Sequence, residues 1–293
     1  MCASTDRRTI SEAAKREAFF FGDEAMVTPV DTVVAGEGFK TRVLRGGSGE
    51  RLLFLHGAAG ANWSKFHDDL SSHYEVIITE HPGYGESADL PHVRDVAELA
   101  NHYRQVLDLL RIDRVHVVAS SFGGWLASEL ATLEAGRLKS LTLMAPTGMF
   151  PRVLEKDAPP PTRESFTRML YFDQSIADRI LARDPTEKEL VLQRRNAATT
   201  ARYNGQQSYD PKLGQKLQQL DIPAFIVWGE NDRLVSSSHA EHWREMLNAK
   251  MCMLPNCGHL PHVELPGPTA NWILSQLKQA SSPEASPIGE AAT

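Results

Sequence analysis

The stretch VHVVASSFGGW, Val115 to Trp125, constrains this chain more than any other. Its apolar, β-branched run reads as a buried strand, and Phe122, Leu126 and Leu130 then start a helical pattern, so strand passes to helix with almost no loop between them. Ser120 and Ser121 occupy that passage. So tight a turn forces its central residue into a strained backbone conformation and needs small residues two before and two after it. Around Ser121 those positions are Ala119 and Gly123, whereas around Ser120 they would be Val118 and Phe122, which are too large. The spacing selects Ser121 as the residue exposed at the apex. It also predicts that Phe122, Leu126, Leu130 and Leu133 bury one helix face and that Gly136 caps the helix.

The same grammar runs through the chain. FKTRVLR alternates as a half-buried strand, and RLLFLHG, EVIITEH, VHVVAS, SLTLMAP, AFIVWGE and KMCMLPN read as further strands. Between them Val96, Leu99, Tyr103, Val106, Leu107 and Leu110 recur at helical spacing. Alternation of this kind implies an α/β fold with a mostly parallel sheet covered on both faces. It breaks from Gly148 to about Pro211, where helical patterns surround Phe166, Met169 and Leu170, then Ile176 and Ile180, and a third helix follows Asp184. For that helix Asp184 suits the N-cap, Pro185 the first position and Glu187 the capping carboxylate. Strand patterning resumes at Ala224, so this is a helical insertion within one sheet. The expected organisation is an N-terminal extension over 1–29, a core over 30–147 and 212–280, the insertion over 148–211, and a disordered tail over 281–293. Phe19, Phe20 and Phe21 read as part of a short amphipathic segment packed on the domain.

Composition narrows the function classes. At 293 residues, with 42% hydrophobic and 23% charged residues, the chain is long and apolar enough for a large globular core. A net charge of -6 leaves no footprint for nucleic acid or an anionic membrane. No stretch resembles a membrane span or a secretory signal, and Cys2, Cys252 and Cys257 cannot all pair, so a reducing, cytoplasmic setting is expected. Nothing in the sequence fixes an oligomeric state.

A serine hydroxyl needs a base to become a nucleophile. Of the 11 histidines, His259 emerges just past the apolar run KMCML, with His262 as its nearest rival. Asp232, in VWGENDRLV, also lies just past a strand, where a carboxylate can orient an imidazole; it equally suits a turn aspartate. In LFLHGAAGANW the backbone N–H of Ala58 is free to face Ser121, with the N–H of Phe122 as its partner in holding an oxyanion. Cys252, Cys257 and His259 lack metal-ligand spacing, so no metal is expected. EHPGYGES lacks the spacing of a phosphate cradle and reads as a turn.

Taken together, the elbow ASSFGG, the loops HGAAG and EHPGYGES, the acid in GENDRLV and the histidine in CGHLPHVELP resemble the α/β-hydrolase family, in chain order Ser, Asp, His over roughly residues 30 to 280. The resemblance implies an α/β-hydrolase fold, an eight-stranded, mostly parallel sheet with a helical cap inserted after the sixth strand. Glu80 departs from the aspartate the family often has there and reads as a structural variation in the loop bearing Gly83 and Gly85. Serine at the elbow excludes the aspartate-dependent dehalogenase and epoxide hydrolase branches. The implied activity is that of a serine hydrolase: a small or medium carboxylic ester, thioester or lactone is cleaved through an acyl-enzyme on Ser121, with His259 as base, Asp232 as its orienting acid, and no cofactor. Trp63, Trp125, Met149 and Tyr171 are the candidate lining of an apolar site for a small-molecule substrate. Relatives that hydrolyse carbon–carbon bonds in ring-fission products also use serine, but many carry Trp after the histidine, where Leu260 stands here. A cofactor-free oxygenase or peroxidase and a non-catalytic ligand-binding member of the fold stay open beside them.

Overall fold

A computed structural model describes residues 28–151, 162–205 and 207–281. The N-terminal extension up to residue 27, with Cys2 and Phe19 to Phe21, and the tail from 282 onward lie outside the described residues. Eight strands form one sheet: β1 (Val30–Gly36), β2 (Phe39–Gly46), β3 (Arg51–Leu55), β4 (Glu75–Thr79), β5 (Val115–Ser120), β6 (Leu138–Met144), β7 (Ala224–Gly229) and β8 (Lys250–Leu254). Their order is β1-β2-β4-β3-β5-β6-β7-β8. β1 and β2 join antiparallel, and β2 joins β4 antiparallel; every pairing from β4 onward is parallel. The family's sheet is therefore the observed one. β1 was not among the strands expected from patterning, because VDTVVAG is exposed along most of its length and offers no clean apolar alternation.

Period-two side-chain alternation divides the core. Leu53 and Leu55 of β3, Ile77 of β4, Val117 and Ala119 of β5, and Ile226 and Trp228 of β7 pack on one face. There they meet α2 (Val96–Leu109), α3 (Phe122–Glu134) and α8 (His239–Leu247). Leu52, Phe54, Val76, Ile78, Val118, Phe225 and Val227 face the other way, toward α1 (Lys65–Ser71) and α9 (Pro266–Ala280). These are the near-continuous apolar strands of a sheet buried on both sides. The sheet order reverses between β3 and β5, and at such a switch point the loops beyond the strands' carboxyl ends part to leave a crevice.

Between β6 and β7 lie α4 (Arg163–Leu170), α5 (Gln174–Leu181), α6 (Glu187–Asn204) and the short α7 (Leu213–Leu217). The start of α6 differs from expectation. Thr186 is the N-cap: its hydroxyl accepts from the N–H of Glu189, and the Glu189 carboxylate accepts from the N–H of Thr186 at 2.8 Å. DPTE and TEKE are overlapping versions of one signal, and the second is the one formed, Thr186 and Glu189 completing a reciprocal box. Two details of α3 also change. Leu133 is 47% exposed, and Gly136 falls inside a 3₁₀ turn, Ala135–Arg137, rather than at a left-handed cap.

The insertion is tied to the sheet edge by polar contacts. The half-buried guanidinium of Arg195, on α6, donates to the carbonyls of Gly83, Gly85 and Ser87 at 2.9, 2.9 and 2.6 Å. Tyr203 donates from its hydroxyl to Pro82 O at 2.9 Å, and its ring stacks on Phe122 with centroids 6.2 Å apart. Replacing Arg195 with Met keeps the aliphatic stem and removes the fork of charged donors. Urea titration of Arg195→Met is expected to show a loss of about 1–3 kcal/mol; an unchanged midpoint would assign the anchoring to apolar contacts alone.

Candidate active site

Ser121 stands between the last residue of β5 and the first of α3 with φ 54° and ψ -117°. That backbone state is costly for a residue with a Cβ, on the order of 1–3 kcal/mol. Hydrogen bonds hold it: the Ser121 N–H donates to Met144 O at 2.9 Å, and Ser121 O accepts from Gly124 and Thr147 at 2.9 and 3.2 Å. Close packing sets the rest of the elbow. A Cβ on Gly123 would lie 2.2 Å from Leu55 O and 2.5 Å from His56 O, so α3 can lean this near to the end of β3 only with glycine there. Ala119, on the other side, is fully buried. Ser120 points elsewhere, its hydroxyl buried and without a partner among the described residues.

The three side chains expected to act together are within hydrogen-bonding reach. Ser121 Oγ is 2.9 Å from His259 Nε2, and His259 Nδ1 is 2.7 Å from Asp232 Oδ2. Asp232 is saturated as an acceptor. Its Oδ1 receives the N–H groups of Leu234 and Val235, both at 2.9 Å, and its Oδ2 also receives Trp228 Nε1 at 3.0 Å. An aspartate held as acceptor on every side requires a proton on His259 Nδ1, which leaves Nε2 free to accept from the serine. Trp228 is a residue that sequence reasoning missed; its signal was its place four residues before the acid in VWGEND. The loops bearing acid and base are fastened to each other, since Asn231 N–H donates to Cys257 O at 2.9 Å. Gly229 lies so close to Cys257 and Gly258 that a Cβ would approach Gly258 O to 2.1 Å. His262, the rival base, is half-buried beside Phe54 and Phe66 at centroid distances of 5.9 and 5.7 Å, and desolvation pulls its pKa down to about 3.

The loop after β3 is rooted in a chain of neutral imidazoles that the sequence did not reveal. The N–H of His81 donates to His56 Nε2 at 3.0 Å, so the His56 proton sits on Nδ1, 2.7 Å from Gly57 O. His81 Nε2 donates in turn to His56 O at 2.9 Å, which makes His81 Nδ1 the acceptor for the Tyr103 hydroxyl at 2.5 Å. Tyr103 then accepts from Thr79 Oγ1 at 2.9 Å. The two rings stack 3.7 Å apart, and burial lowers the pKa of His56 to about 4 and that of His81 well below the usual imidazole range. Stacked, desolvated and fully paired, they stay uncharged. The available signal was a histidine within two residues of the end of each of two successive strands, LHG and EHP. Beyond this root, Gly60 N–H closes a turn on Gly57 O at 3.2 Å, and Ala58 at its tip is exposed.

The loop after β4 is organised by Glu80, whose buried carboxylate accepts from the N–H groups of Glu86 and Ser87, both at 2.9 Å, and lies 3.7 Å from Arg42. Gly85 passes so near that a Cβ would collide with Glu80 Oε1 at 1.9 Å. The longer acid at this position thus serves as the loop's internal brace.

The four residues expected to line a substrate site have different surroundings. Met149 borders a cavity of about 200 Å³ together with Thr147, Phe150, Asp232, Val235 and His239. Trp125 is buried under Gly148 and donates to Glu129 at 3.4 Å, the contacts of a support beneath the start of the insertion. Trp63 donates to Asp68 Oδ1 at 2.6 Å and lies beside His67. Tyr171 is buried next to Gly258, where a Cβ would meet the backbone of Leu170 to Phe172, and His259 N–H donates to Leu170 O at 2.8 Å. Among the described residues no group of His, Cys, Asp or Glu is arranged to hold a metal ion. Cys252 and Cys257 are buried thiols, Cys252 pushed up to about 12 by desolvation. Among those residues, too, no helix is long and apolar enough to cross a membrane.

Comparison with known proteins places this geometry. A profile of the Alpha/beta hydrolase family matches residues 52–272. The chain is 30% identical over 241 residues to a 2-hydroxy-6-oxononadienedioate/2-hydroxy-6-oxononatrienedioate hydrolase of Burkholderia vietnamiensis, covering 73% of this chain and 82% of that one. It is 27% identical over 242 residues to a dihydrolipoyllysine-residue acetyltransferase component of the acetoin cleaving system of Cupriavidus necator, covering 78% of this chain but only 64% of that protein's length. Among solved structures it resembles a bacterial membrane phospholipase A with a TM-score of 0.68 and 25% identity, covering 86% of each chain. From the sheet order, the turn at Ser121 and a family match that spans most of the sequence, the chain belongs to the α/β-hydrolase family.

Proposed function

We propose that the protein is a serine hydrolase acting on a small or medium carboxylic ester, thioester or lactone through an acyl-enzyme on Ser121. The observation that carries this reading is the continuous relay from Ser121 Oγ through His259 to Asp232, at 2.9 and 2.7 Å, on a strained turn that presents the hydroxyl. His259 Nε2 takes the serine proton as Oγ attacks the carbonyl carbon, and the carbonyl electron pair moves onto oxygen. The N–H groups of Ala58 and Phe122 receive that oxyanion; neither enters a backbone hydrogen bond among the described residues. The imidazolium then protonates the leaving group, and a water deprotonated by the same Nε2 releases the acid. Asp232 keeps its charge throughout and stabilises the imidazolium. These steps need no metal or cofactor.

In this reading residues 148–211 form a cap on a core of 30–147 and 212–280, with Trp63, Trp125, Met149 and Tyr171 shaping the site. A second reading, hydrolysis of a carbon–carbon bond, is favoured by the likeness to the dienedioate hydrolase. Leu260, in place of the tryptophan many such enzymes carry, supports the ester reading. A panel of 4-nitrophenyl esters and thioesters beside a 2-hydroxy-6-oxo-dienoate separates the two. Faster turnover of the esters is expected; turnover of the dienoate alone would select carbon–carbon cleavage.

Fluorophosphonate labelling mapped by mass spectrometry is expected on Ser121, with Ser121→Ala losing both label and turnover by a factor on the order of 10⁴ to 10⁶. Ser120→Ala is expected to stay within about tenfold of wild type, since its hydroxyl is not part of the relay. Label on Ser120, or retained activity in Ser121→Ala, would reject the mechanism. For the cap, Met149→Ala is expected to change the ratio of kcat/KM between acetyl and octanoyl esters. A constant ratio in this and in Tyr171→Ala, both folded, would remove the cap from substrate selection.

A further inference from the structure

The oxyanion loop is exposed at its tip, and its shape beyond the histidine root depends on a side chain from the insertion. Asn196 lies in the middle of α6 and is 7% exposed. Its Nδ2 donates to Ala59 O at 2.9 Å, and its Oδ1 accepts from Gly85 N–H at 3.0 Å. One partner is an obligate acceptor and the other an obligate donor, so the amide has only one orientation that satisfies both. Ala59 directly follows Ala58, whose N–H is the proposed oxyanion donor. Gly60, the next residue, has φ +104°, and a Cβ there would lie 2.8 Å from Asn196 Nδ2. The carboxamide is thus packed against the turn as well as bonded to it. Thr199 strengthens the junction by donating to Gly83 O at 2.9 Å, so the loops after β3 and β4 are both held from one face of α6.

We propose that Asn196 is a positioning residue for the oxyanion hole: by fixing Ala59 O it sets the direction of the Ala58 N–H and makes the insertion part of the catalytic apparatus. This rests on the reading of Ser121 and Ala58 given above. Donors aimed at an oxyanion act mainly in the transition state, so losing their alignment lowers kcat with little effect on substrate binding.

The test uses the full chain and 4-nitrophenyl butyrate, with active sites counted by fluorophosphonate titration. Asn196→Ala, which keeps a good helix former on α6, is expected to lower kcat per titrated site about 10- to 100-fold while KM changes less than about threefold. The inhibition constant of trifluoroacetophenone, which adds to the serine as a tetrahedral oxyanion, is expected to rise by the same factor as kcat/KM falls. Gly60→Ala crowds the same contact from the loop side and is expected to reproduce both changes, which keeps the test open should Asn196→Ala fail to fold. Unchanged kcat per site, or an inhibition constant that does not move with kcat/KM, overturns the positioning role. Absence of label on Ser121 in the wild-type protein overturns the underlying reading of the site, and the proposal with it.

Discussion

The approach of α3 to the end of β3 is the constraint from which the rest of this site follows. Gly123 allows the helix backbone within van der Waals distance of the Leu55 and His56 carbonyls, and Ser121 absorbs the resulting bend at φ 54°. The strain, on the order of 1–3 kcal/mol, is held by backbone hydrogen bonds to Met144, Gly124 and Thr147. A side chain on such a turn projects clear of both strand and helix, and here the Ser121 hydroxyl, only 7% exposed, meets His259 Nε2 at 2.9 Å beyond the carboxyl ends of the strands. The strain at Ser121 and the direction of its side chain have the same origin.

Around that point the protein relies on neutral or fully satisfied polar groups. His56, His81, Tyr103 and Thr79 form a buried chain in which each donor has one acceptor, so no charge has to be desolvated. Asp232, like Glu80, is a buried carboxylate, and its two backbone donors, the Trp228 indole and His259 supply what water would otherwise provide. The tautomers of His56 and His259 are consequences of these partners, and they leave the one lone pair needed at Ser121.

The insertion between β6 and β7 is joined to the site at both ends. Through Arg195, Asn196, Thr199 and Tyr203, α6 grips the loops after β3 and β4. On the other side, Leu170 O accepts from His259 N–H, and the Glu264 carboxylate accepts from Asp173 and Gly258 at 2.5 and 2.6 Å. Burial raises the pKa of Glu264, its desolvation outweighing the backbone donors, which favour the charged carboxylate. The insertion and the Ser121–His259–Asp232 geometry are therefore physically linked in this molecule.

The order Ser121, Asp232, His259 and the strand endings that carry them were legible in the sequence, because buried parallel strands are continuous apolar runs and a tight strand-to-helix turn demands small residues at fixed spacing. The start of α6 was legible only to within two residues, since two capping signals overlap. β1 escaped because an exposed edge strand needs no apolar alternation. What the sequence by itself determined was the set of local conformations: which segments are strands, where the chain must turn sharply, and which serine the turn presents. Only the tertiary structure decided that Trp228 completes the acceptor shell of Asp232, that two histidines 25 positions apart stack under the loop after β3, and that Asn196 meets a loop 137 positions earlier in the chain. Those contacts join residues with no local relationship, and only packing around the sheet's carboxyl edge fixes the distances between them.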